Sequence, residues 1–144
     1  MQIGEAVRQA AQLIQNQLGL ESTESSFEAN LLCQQVFGVN RAWLISHQND
    51  ALEVNQQAAF EALVQRRLSG EPIAYIVGSH EFYGLPLKTT PATLIPRPDT
   101  ETLVEAALAK IPQNSNLDVL DLGTGTGAVA LAIAKNRPDR KSVV

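Results

Sequence analysis

The chain has 144 residues, 44% hydrophobic and 18% charged, the balance of an ordinary globular protein and not of a disordered or fibrous one. A formal net charge of −4 with no long Lys/Arg run leaves no electrostatic footprint for duplex nucleic acid or an anionic membrane. Cys33 is the only cysteine and no apolar run approaches the ~18 residues of a membrane span, so the expected setting is a reducing cytoplasm, with neither nucleic acid nor membrane as partner.

Ile3, Val7, Ala10, Ile14 and Leu18 recur at steps of three and four and predict a first helix with one apolar face. Ser25 and Glu28 have capping-box spacing ahead of Ala29, Leu32, Cys33, Val36 and Phe37, with Gly38 as a left-handed stop, which predicts a second helix. Asn40 is placed to cap a short third helix through Trp43, Leu44 and His47. Asn55 opens a fourth that carries Phe60, Leu63, Val64 and Leu68 and closes at Gly70. Residues 1–72 thus read as a small helical bundle.

At Glu71-Pro72 the pattern changes, because proline disfavours helix at the residue before it and Tyr75-Ile76-Val77 is β-prone. Glu81-Phe82-Tyr83 and Leu85-Pro86-Leu87-Lys88 flank Gly84 as a hairpin, so residues 73–92 read as a β-hairpin linker. Residues 93–144 begin a second unit. Its helix runs from about Asp99 to Lys110, with Leu103, Val104, Ala107, Leu108 and Ile111 as the buried stripe and Pro112 as the stop. Leu117 to Leu122 is a short apolar strand, Gly123 to Gly127 a tight loop, and Ala128 to Ala134 with Lys135 an alanine-rich helix. After Arg137-Pro138-Asp139, Lys141-Ser142-Val143-Val144 restarts as a second strand. Parallel strands are normally covered on both faces, and no third strand follows, so this α/β unit is expected to be the incomplete start of a larger domain.

The loop between strand and helix carries the chemistry. Gly123, Gly125 and Gly127 let the backbone approach a ligand closely, with Thr124 and Thr126 between them and helix N–H groups pointing at it. A plain turn needs only one or two glycines. Gly123, Gly125 and Ala128 also satisfy the dinucleotide fingerprint G-x-G-x-x-G/A. Asp121, at the strand's carboxyl end, weighs against that: it would repel a pyrophosphate but hold the amino group of a methionine moiety. S-adenosylmethionine is therefore the expected cofactor, held by Asp121, Gly123, Thr124, Gly125, Thr126 and Gly127.

With that loop in view, Pro96-Arg97-Pro98-Asp99-Thr100-Glu101, Glu71-Pro72-Ile73-Ala74-Tyr75-Ile76 and Glu81-Phe82-Tyr83-Gly84 closely resemble the HemK/PrmC family across essentially the whole chain. These are the methyltransferases that modify the glutamine of the Gly-Gly-Gln motif in bacterial peptide chain release factors. The resemblance implies a five-helix-like amino-terminal domain that helps bind the release factor, a hairpin linker, and the beginning of a Rossmann-like methyltransferase domain. It also exposes a gap: the family's Asn-Pro-Pro-Tyr motif, which holds the target amide, is not among these residues, nor is the acid that binds the cofactor ribose. The expectation is an enzyme as the full-length parent and an inactive 144-residue chain. Rival readings are a non-catalytic release-factor-binding module and an amino-methylase of nucleic-acid bases, the latter disfavoured by the acidic balance.

Pro96, Arg97 and Glu101 are candidate substrate-side residues. Arg97 serves equally as a surface anchor for its loop, and Glu101 as a first-turn charge on the helix dipole. His47 and His80 lack partners at metal or acid–base spacing, so no metal is expected. Cys33 and Trp43 read as core, and Lys135, Arg137, Arg140 and Lys141 as solvated charges after a helix end.

Overall fold

The computed structural model describes residues 1–138 in full and the backbone of residues 141–143. Asp139, Arg140, Val144 and the Lys141 side chain, named in the sequence reading, lie outside the described residues. The chain divides into two compact units, Met1–Val77 and Gly78–Val144. No helix among the described residues is long and apolar enough to cross a membrane.

The first unit is five helices: α1 (Ile3–Leu18), α2 (Ser22–Phe37), α3 (Arg41–Ser46), α4 (Val54–Leu68) and α5 (Ile73–Val77). Ile3, Ala6, Ala10 and Ile14 of α1, Ala29, Leu32 and Cys33 of α2, and Phe60, Val64 and Leu68 of α4 form one buried cluster. Burial at these spacings, worth roughly 25 cal/mol per Å² of apolar surface, is what holds helices of this length. The start of α1 has no side-chain cap; instead Ile3 N–H donates to Asp50 O at 3.0 Å and Gly4 N–H to Gln48 O at 2.8 Å. Gly4 permits that approach, since a Cβ there would lie 3.0 Å from Gln48 O. Asn40 caps α3 as expected, its Oδ1 accepting from Trp43 N–H at 3.0 Å.

Two caps differ from the sequence reading. Ser25 lies inside α2, which begins three residues earlier, and its Oγ donates to Ser22 O at 3.1 Å. Glu28 faces the core, 4% exposed, where Arg67 of α4 binds it in bidentate fashion: Nε to Oε2 at 2.7 Å and NH2 to Oε1 at 3.1 Å. A capping-box spacing was here the signature of a buried ion pair, whose second partner stands 39 residues away. At α4, Glu53 and Gln56 form the capping box, Gln56 Oε1 accepting from Glu53 N–H at 3.3 Å, so Asn55 falls within the first turn.

Tyr75-Ile76-Val77 is helical, not extended. Pro72 lies just outside α5, where its missing N–H costs nothing, and Pro72 O accepts from Tyr75 and Ile76 at 3.0 and 3.2 Å. Burial of Ala74 and Ile76 overrides the β preference of the sequence. The first unit therefore ends at Val77, beyond the expected break at Glu71-Pro72.

In the second unit, β1 (Ser79–Phe82) and β2 (Leu85–Lys88) pair antiparallel with Ser79 opposite Lys88 and Phe82 opposite Leu85. Tyr83 and Gly84 form the two-residue turn at φ +50° and +71°, the positive angles that match the twist of a tight hairpin. The hairpin is not a free linker. Phe82 and Leu87 are buried with Val104 and Ile111, from α6 (Thr100–Lys110) and its end, and with Ala128, Ala132 and Ile133 of α7 (Ala128–Asn136). β3 (Asp118–Leu120) and β4 (Lys141–Val143) run parallel, with Asp118 opposite Lys141. Leu103, expected in the stripe of α6, is 57% exposed, and Leu120 at the end of β3 and Leu122 just after it are exposed. Arg137, expected to be solvated, donates from Nε to Ile111 O at 2.9 Å and from NH2 to Leu108 O at 3.0 Å, which satisfies carbonyls at the end of α6.

Two outcomes follow for the first unit. Glu28→Ala leaves the Arg67 guanidinium largely buried without its carboxylate and should cost about 3 kcal/mol, while Glu28→Leu with Arg67→Met should restore most of the loss. Urea unfolding followed through Trp43 fluorescence checks this, and an unchanged midpoint for Glu28→Ala would show that the pair is not a determinant of stability. Burial also pushes the Cys33 thiol up to about 11. The fold favours the neutral thiol, so this contribution is complete below the unfolded thiol's value of ~8.5 and fades as pH climbs towards the folded one. At about pH 8 iodoacetamide should modify Cys33 only as fast as the bundle opens. Modification at the rate of a free thiol would contradict it.

Candidate functional site

The glycine loop is built by the elements on either side. β3 ends at Leu120, α7 starts at Ala128, and residues 121–127 carry the chain between them. Gly123, Gly125 and Gly127 all have positive φ, +72°, +56° and +80°, the left-handed region where a side chain costs energy. Apart from their chain neighbours, no atom of the described residues lies within 4 Å of a Cβ built on Gly123 or Gly125, so these two glycines are not packed against a described neighbour. Gly127 N–H donates to Thr124 O at 2.9 Å, closing a tight turn ahead of α7. The first amides of α7 have no helical partner, as at any helix start, and they carry the positive end of its dipole.

Asp121 is held in this frame. Thr124 Oγ1 donates to Asp121 Oδ2 at 3.0 Å, and the other carboxylate oxygen has no partner among the described residues. Thr126 Oγ1 is buried and has no hydrogen-bond partner among the described residues. An unpaired buried hydroxyl costs on the order of 1–3 kcal/mol and calls for a ligand or water atom to complete it. The six residues Asp121, Gly123, Thr124, Gly125, Thr126 and Gly127 thus stand together as one loop with an acceptor at its start, open backbone in its middle and an unpaired hydroxyl near its end. They fit a ligand with a cationic amine and polar groups: Asp121 would take the amine, Thr126 a polar atom, and Gly123 and Gly125 a close approach.

The residues expected on the substrate side make separate local contacts. Pro96 and Arg97 lie in an irregular segment before α6; Arg97 is exposed, makes no ion pair among the described residues, and contributes its carbonyl to Thr100 N–H at 3.0 Å. Glu101 Oε1 accepts from the backbone N–H of Tyr83 at 3.1 Å. That bond ties the first turn of α6 to the hairpin turn and holds an aromatic residue at a positive φ, a conformation that costs about 1–2 kcal/mol. The sequence signal for it was the Tyr83-Gly84 pair between two short strands, which marks a turn but not its anchor. His47 stacks on Trp43, rings 3.9 Å apart and 7° from parallel, with Nδ1 2.8 Å from Trp43 O.

A groove of about 290 Å³ between α1 and α4 is lined by apolar side chains and neutral amides apart from Glu61. Its chemistry is poorer than that of the loop, which is therefore the stronger candidate. A family profile described as the PrmC N-terminal domain matches residues 5–78, half of the chain. The chain belongs to the PrmC family. It is 47% identical over 133 residues to the release factor glutamine methyltransferase of Coxiella burnetii, covering 92% of this chain and 48% of that protein. The proteins of the same name from Salmonella typhimurium and Escherichia coli are 52% and 49% identical, over 78% and 83% of this chain and 40% and 43% of theirs. The chain spans about half the length of these PrmC relatives or less.

Gly125→Ala tests how open the loop is. With nothing near its Cβ, the substitution should cost only the left-handed strain, about 1 kcal/mol, and leave the circular dichroism spectrum unchanged. A collapse of the second unit would show that Gly125 is buried by contacts in solution.

Proposed function

We propose that this protein is an S-adenosylmethionine-dependent methyltransferase acting on the side-chain amide nitrogen of the glutamine in the Gly-Gly-Gln motif of bacterial peptide chain release factors. The observation that carries the reading is Asp121, fixed by Thr124 at the end of β3 and heading a three-glycine loop in a parallel β–α–β unit. The names of the PrmC relatives, release factor glutamine methyltransferase, support the substrate. In this reading the second unit is the start of a Rossmann-like domain and the helical bundle, the expected domain 1–72 extended through α5, docks the release factor.

When bound, S-adenosylmethionine supplies an electrophilic sulfonium methyl. Asp121 holds the cofactor's amino group by a charge-assisted hydrogen bond. Gly123 and Gly125 keep the backbone clear of side chains where the ligand passes, and Thr126 completes its hydrogen bonding on it. An amide nitrogen is a poor nucleophile because its lone pair is delocalised, so a methyltransferase must hold the NH2 group by acceptors and in line. The Asn-Pro-Pro-Tyr run that would do so is not among the 144 residues, and these residues on their own are proposed to bind without turnover.

Asp121→Ala should weaken S-adenosylmethionine binding by roughly 1.5–3 kcal/mol, about ten- to a hundredfold, measured by calorimetry against the parent. Equal affinity would remove Asp121 from the site. Binding of a nicotinamide dinucleotide with none for S-adenosylmethionine would return the loop to the dinucleotide reading, and labelled-methyl transfer to a release factor by the 144-residue polypeptide would overturn its proposed inactivity.

A further inference from the structure

The basic side chains of residues 1–77 are four arginines, set against eight acids and no lysine. Two are spent internally: Arg66 on Glu71 at 2.6 Å and Arg67 on Glu28 at 2.7 Å. Arg8 on α1 and Arg41 at the start of α3 are exposed and have no ion-pair partner among the described residues. Both open onto one face. Grooves of about 320, 430 and 180 Å³ cross α1, α2 and α3 and join through shared residues, with Asn30 lining all three, Arg8 the first and third, and Arg41 the second. No acidic side chain lines any of them, in a unit with twice as many acids as bases.

The rest of the face suits a peptide. Asn30 Nδ2 donates to Ser26 O at 2.7 Å and Gln34 Nε2 to Asn30 O at 3.2 Å, which leaves the two side-chain carbonyl oxygens without donors among the described residues. Phe27 and Ile45 line the second and third grooves, 57% and 59% exposed. We propose that this face binds an acidic, extended segment of a protein partner. Its carboxylates meet Arg8 and Arg41, its backbone N–H groups meet Asn30 and Gln34, and an apolar side chain packs on Phe27 or Ile45. Nucleic acid fits less well, because a phosphate backbone gains affinity from many cations and this face has two, within an acidic unit. That the segment belongs to a release factor rests on the function proposed above; the groove's preference for an acidic peptide does not.

The test uses the 144-residue chain with a fluorescent peptide of alternating Glu and Leu, its Gln/Leu counterpart as control, and an oligoribonucleotide as competitor. Arg8→Glu with Arg41→Glu should weaken the acidic peptide by at least about tenfold, added salt should weaken it further, and Arg8→Lys with Arg41→Lys should retain most binding. Glu105→Gln, an exposed change on α6 in the second unit, should leave peptide binding unchanged. Both arginines are exposed, and an unaltered melting curve confirms that the variants fold. Equal binding of the Gln/Leu peptide, indifference to the double charge reversal, or preference for the oligoribonucleotide each overturns the proposal. In a second arm, a release factor that binds the chain equally well with and without the charge reversal overturns the assignment of the segment to the release factor and spares the proposed function. A release factor that does not bind at all sinks the proposed docking role, and the peptide arm still decides the groove.

Discussion

Glu28 is the only acidic side chain buried among the described residues, and the helical unit is arranged to keep it paired. Arg67 reaches it from α4 with two nitrogens and, with NH1, touches the carbonyl of Glu71 at 3.4 Å, so one guanidinium ties α2 to α4 and to the chain's exit towards α5. Such a pair adds little stability over apolar residues of equal volume, but it is costly to break. Its effect here is on register: sliding α4 along α2 by one turn would leave both charges stranded. Apolar packing such as that of the cluster holding Leu32, Cys33, Val64 and Leu68 is non-directional, whereas a bidentate pair demands one geometry.

The second unit is held differently. Its buried cluster is small and built from the hairpin, α6 and α7, and polar bonds of long sequence reach fix the pieces: Glu101 on the turn amide of Tyr83, and Arg137 on the carbonyls at the end of α6. Leu120 and Leu122 on one side of the loop and Leu131 on the other are exposed, as expected where a parallel pair has few neighbours. Arg137, which follows α7, ties the end of the helix after the loop to the end of α6.

What the sequence showed clearly were features written in local spacing. The apolar faces of α1 and α4, the stop at Gly38, the cap at Asn40, the hairpin and the strand–loop–helix around Gly123 to Gly127 all follow from residues within a few positions of each other. What it hid were bonds between distant residues. Ser25 and Glu28 had the spacing of a cap because a buried acid on an amphipathic helix recurs at the same three-residue step; only Arg67 distinguishes the two. Tyr75 to Val77 had β-prone side chains, yet a helix five residues long forms because the bundle buries Ala74 and Ile76. The loop's residues were legible as a set. The unpaired hydroxyl of Thr126 was not, since burial and the absence of a partner are set by the folded surroundings and not by local spacing.

That hydroxyl separates the loop from the rest of the chain. Ser25 and Thr89, buried elsewhere, each give their hydroxyl to a nearby carbonyl, and Glu28 has its arginine. Thr126 alone among the described residues buries a side-chain oxygen with no partner, next to glycines held at angles other residues avoid. Glycine takes positive φ without strain, so the cost that stands out in the loop is the unmet hydrogen bond of Thr126. In the proposed function a ligand atom completes that hydroxyl, and the missing hydrogen bond is made on binding. In that proposal Asp121 sets the sign of the ligand, because a carboxylate held by Thr124 at the head of the loop favours a cationic group over a phosphate, whatever the glycine spacing alone would allow.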